Sequence, residues 1–296
     1  MPLLDWMTAL TVILVWGVNF VVIKVGLHGV PPMLLGGLRF SLLLFPAIFF
    51  VPRPRIPLKW LLAYGASISL GQFAFLFSAI YVGMPAGLAS LVLQAQAFFT
   101  VVLAALFMHE AIRWHHLAGM LVAALGLVLI GIGAAAGSMS IAGFVLTLCA
   151  ACCWASGNLC IKKIGAVNPL SLVVWGGLVP PVPFFIMSYL FEGPARISAS
   201  FAHFNGVSLF SVVYLAFVST GLGYMLWGRL LGRHPVGKIA PLTLLVPVVG
   251  LVCAALILGE HLAPLQWLGG AVAMLGLMLN VFGPRWFTPR RLSAIQ

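Results

Sequence analysis

Apolar residues fill this sequence in long blocks, each close to 20 residues, and the polar positions fall between blocks rather than alternating within them. That pattern is neither the two-residue alternation of a half-buried strand nor the one-sided stripe of a surface helix. Blocks apolar all round and of this length match helices that cross a bilayer, since ~20 residues cover its hydrocarbon core. Punctuation by Pro, Gly and charged residues predicts ten spans, near 6–24, 33–51, 60–81, 86–107, 115–133, 141–161, 170–190, 207–228, 237–258 and 264–283. The connections are short, and only the stretch from Glu192 to Asn205 has room for an additional surface helix. The first block has no basic leader and no small-residue cleavage site, and it runs through Asn19 and Lys24. It therefore reads as the first span rather than as a signal peptide.

Composition agrees. The 296 residues are 63% hydrophobic and 6% charged, whereas a soluble domain carries roughly a quarter charged residues. The expected fold is thus an all-α membrane protein whose solvent is the lipid bilayer. In a soluble chain a net charge of +11 would point to nucleic acid. No basic stretch here is interleaved with exposed aromatics, so no nucleic-acid partner is expected. The charge reads instead as topology. With the N-terminus cytoplasmic, the inner side receives Arg53, Arg55, Lys59, Arg113, Lys162, Lys163, Arg229, Arg233, Lys238, Arg285, Arg290 and Arg291. The outer side receives Lys24 and Arg196, and Arg39 falls within the second span. Twelve against two predicts both termini in the cytoplasm.

The two halves match. Asn19, Lys24 and Gly26 recur 139 positions later as Asn158, Lys163 and Gly165. Gly71, Pro85, Gly87, Glu110, Gly119 and Gly126 recur 150 later as Gly221, Pro235, Gly237, Glu260, Gly269 and Gly276. The most specific piece is E-x8-G-x6-G-L, present from Glu110 and again from Glu260. Each half, 1–137 and 138–296, holds five spans. An odd number forces the second half upside down relative to the first, giving two inverted five-helix repeats about an axis in the membrane plane. Such repeats suit carriers whose substrate site lies near the midplane.

The stretches WGVNFVVIKVG from Trp16, PPMLLGGLRF from Pro31, GMPAGLASLVLQAQAFF from Gly83 and APLTLLVPVVGL from Ala240 resemble the EamA family of the drug/metabolite transporter superfamily. The resemblance runs from Trp16 to Gly283. It implies ten helices, a bacterial inner-membrane address and export of small-molecule substrates of the amino-acid class, such as O-acetylserine, cysteine or aromatic amino acids.

Polar side chains in hydrocarbon are costly unless they meet a partner or a water-filled cavity. Those in mid-span are the substrate-binding candidates: Asn19 and Asn158, which are repeat partners, Gln72, Gln94, Gln96, Ser219, Thr220 and Arg39. Amides donate to a carboxylate and accept from an ammonium, as a zwitterion requires. For Asn19 and Asn158 a purely structural interhelical bond is an equally good reading. Helical geometry sets Gln94 and Gln96 about 200° apart, so only one should face a cavity while the other meets a neighbouring helix. Trp16 and Trp154 are candidate cavity walls; Tyr81, Tyr224 and Trp227 read as packing or belt residues. Arg39, roughly two turns inside the second span, reads either as bonded to carbonyls or as keeping an outer vestibule wet. Pro180, Pro241 and Pro247 break helical bonding, and together with Gly71 and Gly221 they are the hinge or gating candidates.

The acidic residues Asp5, Glu110, Glu192 and Glu260 all fall near span ends, which predicts facilitated or only weakly coupled transport rather than tight proton antiport. The Cys149–Cys152 CxxC lies in an apolar segment and fits helix packing better than a soft-metal site. No metal and no cofactor is expected. A membrane enzyme has almost no material, since the only aspartate is Asp5 and no G-x-S-x-G occurs. A channel is the stronger rival, to be separated by saturation and counterflow. Small-residue spacings occur on nearly every span, so no single face is marked for oligomerisation.

Overall fold

The computed structural model describes residues 1–133 and 139–287; within them every regular element is helical. The membrane-crossing helices are α1 (Leu3–Gly26), α2 (Pro32–Phe50), α3 (Leu58–Tyr81), α4 (Ala86–Met108), α5 (Trp114–Gly133), α6 (Ile141–Ile164), α7 (Pro169–Gly176 with Pro181–Ala202), α8 (Gly206–Arg233), α9 (Pro241–Leu258) and α10 (Pro264–Gly283). Among the described residues nine of these are unbroken, and α7 is a pair bent by 41°. The bend falls at Pro180 and Pro181, which supply no N–H to the preceding turn. The second segment of α7 closes with a π-turn at Ser188–Glu192 and the helix Gly193–Ala202, the surface helix for which the sequence left room. Ser200 Oγ ties that helix to the Gly29 carbonyl at 2.8 Å. Arg290 and Arg291 of the charge count, and the 137/138 repeat boundary, lie outside the described residues.

Exposed side chains such as Phe45, Phe49, Phe107, Leu121, Leu125 and Leu256 face outward, as lipid permits. Inside, close approach comes from glycine. A Cβ on Gly119 would sit 2.7 Å from the Gly276 carbonyl, and one on Gly269 would sit 2.6 Å from the Gly126 carbonyl. These two contacts exchange when each residue is replaced by the one matched to it 150 positions away, so the α5–α10 crossing is alike from either helix. The glycines of the E-x8-G-x6-G-L motif therefore serve helix pairing, while its two glutamates meet other elements.

The helices that carry those polar residues are locally irregular, and in matching places. A π-helical segment occupies Gly65–Gly71 in α3 and another Tyr214–Leu222 in α8. A 3₁₀ segment, Leu93–Ala95, interrupts α4, and another, Ala240–Leu244, leads into α9 from the short helix Val236–Ile239. Pro241 is the second residue of the latter 3₁₀ segment, and Pro247 lies buried in the first turn of the helix that follows. Such segments loosen the i to i−4 ladder and turn backbone carbonyls toward other partners.

Candidate functional site

Among α1, α2, α3, α4, α6, α8 and α9 lies a cavity of about 640 Å³, within the range of pockets that hold small molecules. Its polar lining is Asn19, Arg39, Gln72, Ser90, Gln94, Gln96, Thr100, Asn158, Ser219 and Thr243, and its aromatic lining includes Trp16, Phe20, Tyr64, Phe73, Trp154, Tyr224 and Trp227. A second space of about 890 Å³ adjoins it, sharing Tyr64, Ile161, Tyr224 and Trp227 and reaching Asn168, Arg229 and Gly232. Those last residues lie at the end where α1 begins, since Asp5 there accepts from Arg233 Nη1 at 3.1 Å. The cavity thus opens toward that terminal end. The opposite end is filled by Leu34, Leu35, Leu76, Phe77, Ile80, Met84 and Leu88, all buried.

The hydrogen bonds divide the polar lining into tied and free groups. Ser219 Oγ donates to Asn19 Oδ1 at 2.7 Å, and Asn158 Nδ2 donates to Gln96 Oε1 at 2.8 Å and Thr100 Oγ1 at 3.1 Å. Trp16 Nε1 donates at 3.1 Å to the Ser219 carbonyl, a backbone group of the α8 π-segment. Its ring meets Tyr224 and Trp227 at 5.4 and 5.6 Å between centroids, forming one aromatic wall. The side chains of Gln72 and Gln94 make no hydrogen bond with the described residues, so their amides are available to a solute.

Four sequence readings change. Gln94 and Gln96 both border the cavity. The 3₁₀ segment Leu93–Ala95 advances about 120° per residue rather than 100°, which brings the two amides to about 120° apart around the helix. Gln96 is bonded to Asn158 of α6, whereas the Gln94 side chain has no such bond. Tyr224 and Trp227 are cavity wall rather than belt. Arg39 bonds a hydroxyl rather than carbonyls: Nε and Nη2 donate to Thr220 Oγ1 at 3.2 and 2.8 Å, and Cζ sits 4.0 Å over the Phe73 ring. Thr220 itself does not line the cavity; it holds Arg39 and donates to the Leu215 carbonyl at 2.8 Å.

Gly71 and Gly221 lie in the π-segments behind the wall, and a Cβ on Gly71 would meet Cys153 Sγ at 2.9 Å. Ser90, Thr100, Tyr64, Phe73 and Thr243 escaped the sequence reading. Ser and Thr read as ordinary helix residues, and for Thr100 and Ser90 only their spacing of four and six from Gln96 placed them near the site.

The four acidic residues are all described, and none borders the cavity. Asp5 meets Arg233 and His234, and Glu110 pairs with Lys162. Glu192 accepts from the Met33 and Leu34 N–H groups at the start of α2. Glu260 accepts from Ala86 N at 2.7 Å and Gly87 N at 3.0 Å at the start of α4.

Comparison with known proteins matches the EamA-like transporter family model twice, over residues 6–132 and 141–282. The chain belongs to the EamA-like transporter family. This family member is 53% identical to a "probable amino-acid metabolite efflux pump" of Escherichia coli K12, over 95% of this chain and 96% of that one. It is equally similar to a protein of the same description in Salmonella typhimurium LT2, over 98% of each. A "probable terminal-alkyne amino-acid exporter" of Streptantibioticus cattleyicolor is 29% identical over 93% of this chain and 92% of that one. A solved crystal structure covers 97% of this chain and 98% of its own with a TM-score of 0.65 at 19% identity, sharing the fold. The chain is therefore a multi-pass membrane transporter of small molecules, not an enzyme.

Proposed function

We propose that this transporter exports amino acids and related small metabolites across the bacterial inner membrane by alternating access, with both termini in the cytoplasm. The observation that carries the reading is a midspan cavity of about 640 Å³, lined by amides, hydroxyls and aromatic rings, open at one end and sealed at the other. A channel needs a path through; a carrier needs one gate closed. The Lys and Arg residues at the terminal end support its cytoplasmic placement, so the open mouth is where an exporter loads. Two relatives at 53% identity described as amino-acid metabolite efflux pumps support the substrate class. Within that class the free amides Gln72 and Gln94, with Asn19 and Asn158 beside them, suit small polar amino acids such as O-acetylserine and cysteine.

The repeat supplies the second state. Residues 1–137 and 138–296 act as the two inverted halves, with Pro180, Pro241, Pro247, Gly71 and Gly221 at the yielding points. Glu260 clasps the start of α4 through Ala86 and Gly87 at the sealed end. Its counterpart Glu110 stands 150 positions earlier, and the counterparts of Ala86 and Gly87 are Val236 and Gly237 at the open end. Glu110 pairs here with Lys162 instead. Exchanging the conformations of the halves carries Glu110 into the clasp, closes the terminal end and releases Glu260.

The test is efflux from liposomes holding purified protein and a labelled panel: O-acetylserine, cysteine, phenylalanine, lysine and a neutral sugar. Saturable efflux confined to amino acids is the expected result. Efflux of the sugar at the same rate, or of nothing in the panel, would overturn the reading.

A further inference from the structure

The cavity contains a cation without a counter-ion among the described residues. Arg39 comes from the middle of α2 and is 2% exposed. Two of its nitrogens spend their bonds on one oxygen, Thr220 Oγ1, whose own proton goes to the Leu215 carbonyl. That hydroxyl is fully occupied and brings no negative charge. Three phenyl rings surround the guanidinium, with Phe73 at 4.0 Å, Phe40 at 5.6 Å and Phe77 at 5.9 Å from Cζ. Nη1 is buried and has no hydrogen-bond partner. Each of the four carboxylates is engaged at a helix end, as described above.

A guanidinium taken out of water and given only a hydroxyl and ring faces is an expensive group to keep. Cation–π contact recovers part of that cost, and a hydroxyl bond a little more. Neither uses Nη1. An arriving carboxylate would supply both the missing charge and an acceptor, and guanidinium geometry suits it.

From this we infer that Arg39 is the anchor for a substrate carboxylate, and that the cavity selects solutes by charge: zwitterions and anions enter, whereas solutes of net positive charge are refused. This deepens the export reading and rests on it for the cavity being the transport site. The ammonium of a zwitterion has no carboxylate to meet. It is received by the amide oxygens of Gln72 or Gln94 and by the aromatic wall of Trp16, Tyr224 and Trp227, all lining the same space. A second cationic group, as in lysine, finds no further acceptor of negative charge and adds repulsion from Arg39. Thr220 acts as a positioning residue, holding two guanidinium nitrogens and leaving buried Nη1 without a partner.

The experiment needs no variant in its first arm. Binding to the intact protein is read from tryptophan fluorescence, to which Trp16, Trp154 and Trp227 contribute. The ligands are O-acetylserine, its carboxamide, lysine, and an uncharged-side-chain keto acid with its amide. Each free acid is expected to bind about 10- to 100-fold more tightly than its amide, the span of hydrogen bonds to a charged group, and lysine to bind more weakly than O-acetylserine. In the second arm, Arg39→Gln should abolish the acid–amide ratio by weakening the acids and should ease the repulsion of lysine and of the cationic carboxamide, and Arg39→Lys should restore part of the ratio. A purely structural Arg39 would lower stability and all affinities together. Equal binding of acids and amides by the wild type, or an unchanged ratio in Arg39→Gln, would overturn the inference. If amino acids fail to bind but the keto acid binds through Arg39, the anchor stands and the amino-acid reading falls. If no carboxylate binds at all, the anchor falls.

Discussion

Glu260→Gln tests the gate at the sealed end. In the wild type one carboxylate accepts from Ala86 N at 2.7 Å and Gly87 N at 3.0 Å. Both bonds are charge-assisted, and the carboxylate also complements the positive end of α4. A glutamine keeps one acceptor and turns an NH₂ toward the other backbone N–H. The net loss is about 1.5–3 kcal/mol, the range for a bond to a charged group. Tenfold per 1.4 kcal/mol makes that a factor of about 10 to 100 in the population with this end open. Hydrogen exchange by mass spectrometry, on protein in lipid nanodiscs, reads the peptide covering residues 84–92. Its protection is expected to fall by about that factor. The mirror substitution Glu110→Gln removes only the exposed pair with Lys162, worth about 0–1 kcal/mol. It should leave thermal stability unchanged, yet disfavour the opposite state, so that protection at 84–92 deepens and transport slows. Unchanged exchange at 84–92 in folded Glu260→Gln, or Glu110→Gln indistinguishable from wild type in transport, would refute the clasp exchange.

Three other outcomes follow from the same structure. Asn158→Ala loses donors to Gln96 and Thr100. At about 0.6 kcal/mol per interhelical bond it should lower the thermal midpoint by only a few degrees while raising half-saturation for efflux several-fold. Gly126→Ala would put a methyl 2.4 Å from Ala273 N, and overpacking of about 1–3 kcal/mol should lower the midpoint with half-saturation unaltered. With amino acid equal on both sides of a liposome, an inward proton gradient should drive no accumulation, because no carboxylate borders the cavity. Accumulation that collapses with a protonophore would contradict this.

What the sequence revealed and what it hid have physical reasons. Block length depends on hydrocarbon thickness and the cost of burying polar groups, and it predicts most helix ends within three residues, with larger misses at the Ala202 end of α7, the Arg233 end of α8 and the start of α9. The midspan amides were visible for the same reason, since few polar groups survive in hydrocarbon. The irregular turns were hidden. A π-segment at Tyr214–Leu222 and a 3₁₀ segment at Leu93–Ala95 leave no mark on an apolar pattern, yet Gln94 and Gln96 share one cavity around the second and the Ser219 carbonyl reaches Trp16 from the first. The aromatic wall was equally silent, because Tyr224 and Trp227 have the composition of a membrane-interface belt. The Glu110 and Glu260 pair stood out as a repeat, but its role depends on which helix start each carboxylate meets, and that is a fact of three-dimensional packing.

The central claim is that one cavity is exposed alternately to the two sides. Counterflow measures this most directly. Liposomes holding purified protein and a high concentration of unlabelled O-acetylserine are diluted into buffer with a trace of the labelled compound. Alternating access predicts a transient internal accumulation of label above its outside concentration, because unlabelled substrate returns the loaded cavity outward faster than the empty one. Entry of label that rises only to equality, without an overshoot and without saturation, is the behaviour of an open pore and would contradict the account.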